Sequence, residues 1–208
     1  MNNQILQLWP TPVYLAQTNL ITNEIIENVK SQSYVRTSNN LNDITIDKKI
    51  LLKTEFKNLK ENIDEHFYNY VYNILNINTD NKFIMTNSWI LKNSSNETTH
   101  AHTHQNCIFS GVIYVVAEEN QGVLKIHKDY DQIFDNSIKP DFSQRNIYNS
   151  DEWNITPQKS LLIIFPSKLK HSITENKSNK TRLSISFNYF LTGAVGDSPV
   201  IRLNLNCS

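Results

Sequence analysis

The sequence predicts a mainly β protein with N-terminal helices, an α+β arrangement. One observation is a long apolar stripe at helical spacing before residue 80. Another is the series of short runs after it, rich in Ile, Val, Tyr and Phe and separated by polar turns. The third is size: 208 residues, 39% hydrophobic and 19% charged, suit one domain with a complete core. Within that single unit we expect an extended segment and supporting helices over 1–80, the β core over 81–192 and a C-terminal tail over 193–208.

Taken in order, Leu8-Trp-Pro-Thr-Pro-Val-Tyr14 is apolar but carries two prolines, which cannot donate to a ladder, so it reads as an edge strand or extended segment. Asn23 is placed to cap a short helix through Lys30, and the polar, aperiodic stretch 31–47 reads as a loop. A helix is expected over Lys48–Ile77, where Leu52, Phe56, Leu59, Ile63, Phe67, Val71 and Ile74 recur at spacings of three and four. His66 lies at the boundary of that stripe and reads as a surface-edge residue. Strands are expected over Lys82–Leu91, Cys107–Ala117, Val123–His127, Ser160–Phe165, His171–Thr174 and Thr181–Leu191, with Val112–Val116 in the sheet interior. Many short strands favour a sandwich, barrel or jelly roll over a parallel sheet. The polar stretch Lys128–Trp153 reads as a long loop, either a lid or a surface insertion.

Lys+Arg 20 balances Asp+Glu 20, which argues against a nucleic-acid partner and a polybasic membrane surface. No apolar run is long enough to span a bilayer, and the N-terminus has no basic-then-apolar leader, so a cytoplasmic protein is expected, in a host cell if phage-encoded. Cys107 and Cys207 form no CxxC pair and are expected as free thiols. Sequons such as those at Asn93, Asn96, Asn176 and Asn179 are expected by chance in an Asn-rich chain.

Three of the six histidines fall in His100-Ala-His-Thr-His104. Residues two apart on a strand face one side, so any pair of these could present two imidazoles to one metal ion. A third ligand must come from elsewhere, and His171, after the strand and turn Leu161–Ser167, is the candidate. Two near ligands and one remote ligand leave open positions for substrates. The plainer reading is a solvated His-rich turn. Arg182 follows His171 by eleven residues, and alternation puts Arg182, Ser184 and Ser186 on one strand face. A buried arginine needs an anionic partner, either a core carboxylate or a carboxylate ligand matched to its planar fork.

The succession His102-Thr-His104, Ser110-Gly-Val-Ile-Tyr-Val115, Phe165-Pro-Ser-Lys-Leu-Lys-His171 and Arg182-Leu-Ser-Ile-Ser-Phe-Asn188 resembles a family of 2-oxoglutarate and iron(II)-dependent oxygenases of bacteria and phages, within the prolyl hydroxylase-like superfamily. Leu8–Tyr14 resembles the family's N-terminal signature. The resemblance implies a double-stranded β-helix (jelly roll) core, with Fe(II) held by His102, His104 and His171 and 2-oxoglutarate held by Arg182 and Ser184. Tyr114, Trp89 and Asn188 are candidates to line the pocket, Tyr114 against the co-substrate. His104 stands where the wider superfamily has a carboxylate, and His100 offers a rival register for the second ligand. Gln158-Lys-Ser160 departs from the glycine turn usual in related sequences. The implied reaction is hydroxylation of a small molecule or protein side chain with release of succinate and carbon dioxide. A three-histidine dioxygenase that does not use 2-oxoglutarate, and a non-catalytic jelly-roll binding module, are the competing readings. These residues specify neither the substrate nor the oligomeric state.

Overall fold

In the computed structural model, residues 3–37, 41–128, 140–196, 198 and 200–206 are described. Two antiparallel sheets face each other, and the chain passes between them repeatedly. The larger has the order β1-β9-β6-β11-β4-β3-β2, with β12 paired to the far end of β11; the smaller has the order β5-β10-β7-β8. Their ranges are β1 Tyr14–Gln17, β2 Tyr34–Arg36, β3 Asp43–Thr45, β4 Lys82–Asn93, β5 Thr99–His102, β6 Phe109–Val116, β7 Leu124–His127, β8 Glu152–Ile155, β9 Leu161–Pro166, β10 His171–Ile173, β11 Arg182–Val195 and β12 Leu203–Leu205.

The edge strand begins where the prolines end: β1 is Tyr14–Gln17, paired to β9, and Leu8–Val13 forms no strand. Helix α1 spans Asn23–Lys30, but its cap is Thr22, whose hydroxyl accepts from the Ile25 N–H at 3.3 Å. The expected loop 31–47 instead holds β2 and β3, which pair with each other and, through β3, with β4. The expected helix Lys48–Ile77 is four pieces. Two 3₁₀ turns, Ile50–Leu52 and Thr54–Phe56, lead into α2 (Lys57–Tyr68), and a π-helical turn, Asn69–Ile74, ends it. The start is held off α-helical geometry by β4: Ser88 N–H donates to the Lys48 carbonyl at 2.7 Å, and Leu51 N–H donates to the Ser88 hydroxyl at 2.8 Å. At the other end the wider turn lets adjacent Tyr70 and Val71 both be buried. Leu52 and Ile74, the ends of the predicted stripe, are exposed.

Helices α1 and α2 cover the outer face of the large sheet. Phe67 stacks on Tyr189 at a centroid distance of 3.6 Å, and Phe83 and Phe109 meet Phe67 edge-on. His66 accepts or donates one bond to the Tyr14 hydroxyl at 2.8 Å, tying α2 to β1. The inner face packs on the small sheet through Val112, Tyr114, Leu124, Ile126, Leu161, Ile163 and Phe165. Buried on both faces, β9 reads as an unbroken apolar run and β6 as one from Gly111 onward. Gly111 is required in β6 because a Cβ there would lie 2.4 Å from the Phe187 ring.

Strand β4 carries a one-residue bulge. Asn87 pairs with Asn188 but Met85 with Tyr189, so Thr86 is extra. Phe83 and Met85 therefore join the helix-side core, whereas Trp89 and Leu91 face the space between the sheets.

Other departures are local. Ser160 takes the position of the missing glycine turn with φ 65, and its hydroxyl receives the Ile21 N–H at 3.3 Å. Strand β8 occupies Glu152–Ile155, so the expected loop is shorter than Lys128–Trp153; residues 129–139 of it lie outside the described residues. The expected tail is partly strand, since Gly193–Val195 of β11 pair with β12. Among the described residues Cys107 is a free thiol, while Cys207 lies outside them. Asn93 and Asn176 are fully buried, which rules out glycans on either side chain. No described helix is long and apolar enough to cross a membrane.

Candidate metal and co-substrate site

The site lies between the sheets, where β5 and β10 of the small sheet pair at the register His102 with His171. Two residues beyond β5, His104 is fixed by its own N–H, which donates to the Ser167 carbonyl at 3.0 Å. One ligand atom each from His102, His104 and His171 lies within 4.8 Å of the others. Nε2 of His102 and Nε2 of His104 are 3.2 Å apart.

Each of the three rings is held from behind at Nδ1. His102 Nδ1 bonds the His100 carbonyl at 2.8 Å, His171 Nδ1 the Leu169 carbonyl at 2.9 Å, and His104 Nδ1 the Asn188 Oδ1 at 2.9 Å. A carbonyl oxygen can only accept, so Nδ1 carries the proton and the Nε2 lone pair is free for a ligand role. Asn188 Oδ1 is held in turn by the Ser110 hydroxyl, which donates to it at 2.7 Å, and Ser110 bonds Ser167 at 2.8 Å. His100 enters this arrangement through its carbonyl, while its own ring is exposed and outside the cluster.

Burial disfavours the charged form of His171 and His104. It pushes the His171 pKa down to about 3, against the opposing hydrogen bond to Leu169. His104 is also lowered, first by burial, with its Asn188 bond acting the other way. Three clustered imidazoles suit a divalent ion and, as uncharged ligands, would leave its charge uncompensated by protein.

Adjoining the cluster is a cavity of about 310 Å³ lined by, among others, Trp89, Tyr114, Ser184 and Ser186. Trp89 sits 5.7 Å from the His104 ring, centroid to centroid. Arg182 lies on the cavity face of β11, two residues before Ser184, and is completely buried. Its Nη1 donates to the Gln121 carbonyl at 2.7 Å, but Nε and Nη2 have no partner. The Tyr114 ring lies 5.9 Å from its guanidinium. Burial lowers the Arg182 pKa and raises that of Tyr114. A guanidinium nonetheless stays protonated, so Arg182 is a buried cation with two unused donors, which fits a carboxylate.

All the sequence candidates thus gather in one region: His102, His104 and His171 at the cluster, Asn188 behind His104, Trp89, Tyr114 and Ser184 around the cavity, and Arg182 buried beside Ser184 on the same face of β11. Ser110, Ser167 and Asn93 were not singled out for a role. Ser110 had a usable signal, since it alternates with Val112 and Tyr114 on the inner face of β6.

Residues 87–188 match a family model described as "Putative 2OG-Fe(II) oxygenase". No curated protein sequence matches the chain. Solved structures share its fold. An oxidoreductase of the 2OG-Fe(II) oxygenase family from Burkholderia pseudomallei aligns with a TM-score of 0.60 at 11% identity, covering 86% of this chain and 84% of that one. HygX from Streptomyces hygroscopicus, solved with nickel and 2-oxoglutarate, gives 0.61 at 8% identity, covering 95% and 92%. A Pseudomonas putida prolyl-4-hydroxylase gives 0.51 at 11% identity, covering 84% and 91%. The stretch 87–188, which carries the histidine cluster and Arg182, thus matches the 2OG-Fe(II) oxygenase family model within a fold shared with solved members of that family.

Proposed function

We propose that this protein is a 2-oxoglutarate- and iron(II)-dependent dioxygenase in which His102, His104 and His171 hold the iron and Arg182 with Ser184 holds the distal carboxylate of 2-oxoglutarate. The two sheets are read as the double-stranded β-helix of that family. The alternation β4, β5, β6, then β7 and β8, then β9, β10, β11 between large and small sheets supports this. The observation that carries the co-substrate assignment is the buried Arg182, with Nε and Nη2 unpartnered. A dioxygenase that ignores 2-oxoglutarate has no use for such a cation, and a structural arginine would have found its own acceptor.

Bound iron supplies dioxygen activation coupled to oxidation of 2-oxoglutarate to succinate and carbon dioxide. The chain's own residues supply orientation and exclusion. The Nδ1 bonds of the three histidines aim their Nε2 atoms at one point. Trp89, Val112 and Phe165 give the cavity apolar walls that limit water. Apart from Arg182, which is assigned to the co-substrate, no charged Asp, Glu, Lys or Arg side chain stands at the described lining, which favours a prime substrate whose reacting part is uncharged. HygX has been solved with hygromycin B bound, and another relative in fold is a prolyl hydroxylase, so a small molecule or a protein side chain is the substrate class proposed here.

Anaerobic titration with Fe(II), with and without 2-oxoglutarate, tests the reading. A visible charge-transfer band should form only with both present, and succinate should follow on admitting oxygen. His171→Ala should lose iron binding while His100→Ala keeps it. A wild-type protein that binds iron but gives no band with 2-oxoglutarate would exclude the proposal.

A further inference from the structure

Opposite Arg182 in the ladder stands Asn93, the last residue of β4. The pairs Asn93–Arg182, Leu91–Ser184 and Trp89–Ser186 run in step, and the last two pairs line the cavity. Side chains two apart on a strand share a face, so Asn93 lies beside Arg182 on that face, one step further in. Asn93 is fully buried, and neither its Oδ1 nor its Nδ2 has a hydrogen-bond partner. Its main-chain carbonyl, by contrast, is satisfied by Asn176 Nδ2 at 3.0 Å. Among the described residues, the buried side-chain polar atoms without partners are those of Asn93 and Arg182 alone. Neighbouring orphans on two paired strands indicate one missing occupant.

The chemistry of the pair says what that occupant is. Arg182 has five N–H donors, of which Nη1 spends one on Gln121, and Asn93 Nδ2 adds two more. A carboxylate, which only accepts, can satisfy Asn93 Nδ2 and the Arg182 Nε and Nη2 together. The guanidinium has protons left for Asn93 Oδ1. An aspartate at position 93 would fill the same space and neutralise Arg182 internally. The carboxamide is its uncharged counterpart and leaves the cation for a ligand.

We propose that Asn93 is a specificity-determining residue of the co-substrate site, donating to the distal carboxylate beside Arg182 and keeping that cation uncompensated until the ligand arrives. The proposal rests on the reading of Arg182 as the carboxylate clamp, and the two can fail separately.

The test uses the full chain loaded with Mn(II), a redox-inert stand-in for iron, and measures 2-oxoglutarate binding by calorimetry. Asn93→Asp should weaken binding at least about tenfold, since it pairs with Arg182 and repels the ligand. It should leave Mn(II) affinity within about twofold and raise the melting temperature of the ligand-free protein, because two buried orphans become an ion pair. Binding of 2-oxobutyrate, which lacks the distal carboxylate, should be unchanged, a selectivity that loosened packing would not produce. Asn93→Ala keeps the idea falsifiable if the aspartate variant does not fold: its 2-oxoglutarate affinity should fall several-fold. Wild-type affinity in either variant, with binding lost in Arg182→Ala, overturns the role of Asn93 and leaves the clamp standing. Wild-type affinity in Arg182→Ala as well overturns both.

Discussion

Among single residues, the one most informative about the metal is Asn188. It is not among the residues lining the cavity, yet its Oδ1 accepts the hydrogen bond from His104 Nδ1 and is itself fixed by Ser110. Removing it frees His104 to take the other tautomer or to rotate, and such supporting groups carry about 10–100-fold in metal affinity. Asn188→Ala is therefore expected to weaken Fe(II) or Mn(II) binding within that range while leaving the fold intact by circular dichroism. An unchanged metal dissociation constant would mean that Ser110, 3.1 Å from the same nitrogen, suffices alone. The histidines and Arg182 were legible from spacing, because alternation on β11 and the His-x-His step each need only a strand to be correct. His100 and His104 could not be separated that way. Both lie two residues from His102, and only the turn after β5 brings His104 back while His100 stays outside.

For the elements, α2 and the large sheet are joined by one aromatic contact more than any other. Phe67 is fully buried, stacked on Tyr189, and in edge contact with Phe83 and Phe109. Phe67→Ala should cost about 3–5 kcal/mol of stability by urea unfolding. The cluster lies on the opposite side of the sheet, so the folded variant should bind metal normally; impaired binding would show that the sheet transmits the loss. The stripe Phe56, Leu59, Ile63, Phe67, Val71 was readable because its period is long and its residues large. Its ends were not, because Ser88 and Lys48 replace helical bonds at the start by bonds to β4. Strands β2, β3 and β8 escaped notice for a different reason. Runs of three or four residues are too short to establish a period; β3 and β8 exist by pairing with strands distant in sequence, and β2 by pairing with β3.

For the whole molecule, the buried histidines couple the site to acid stability. Burial holds His171 near pKa 3 and lowers His104, whereas the unfolded chain titrates near 6.5. Below about 6.5 the unfolded state therefore takes up protons that the folded state refuses, and stability falls as pH drops toward 3. Metal-free protein should show lower urea midpoints at pH 5 than at pH 7.5, and His171→Gln should flatten that slope. An identical slope in wild type and variant would place the acid sensitivity elsewhere. The two-sheet architecture was anticipated from strand number and turn frequency. Which strand belongs to which sheet was not, since sheet membership is decided by pairing across the chain.

Thr86 shows how one residue can reassign a whole strand. Counted by twos, Phe83, Met85, Asn87, Trp89, Leu91 and Asn93 look like one face, and a strict alternation would put them all against the helices. The insertion works as a frameshift for side chains: upstream of it the odd positions pack against the helices, downstream they face the cavity. The two jobs can therefore drift independently along a single strand. Comparing it with a relative lacking the extra residue requires a one-residue gap at that point, or every downstream position is matched to the wrong side of the sheet.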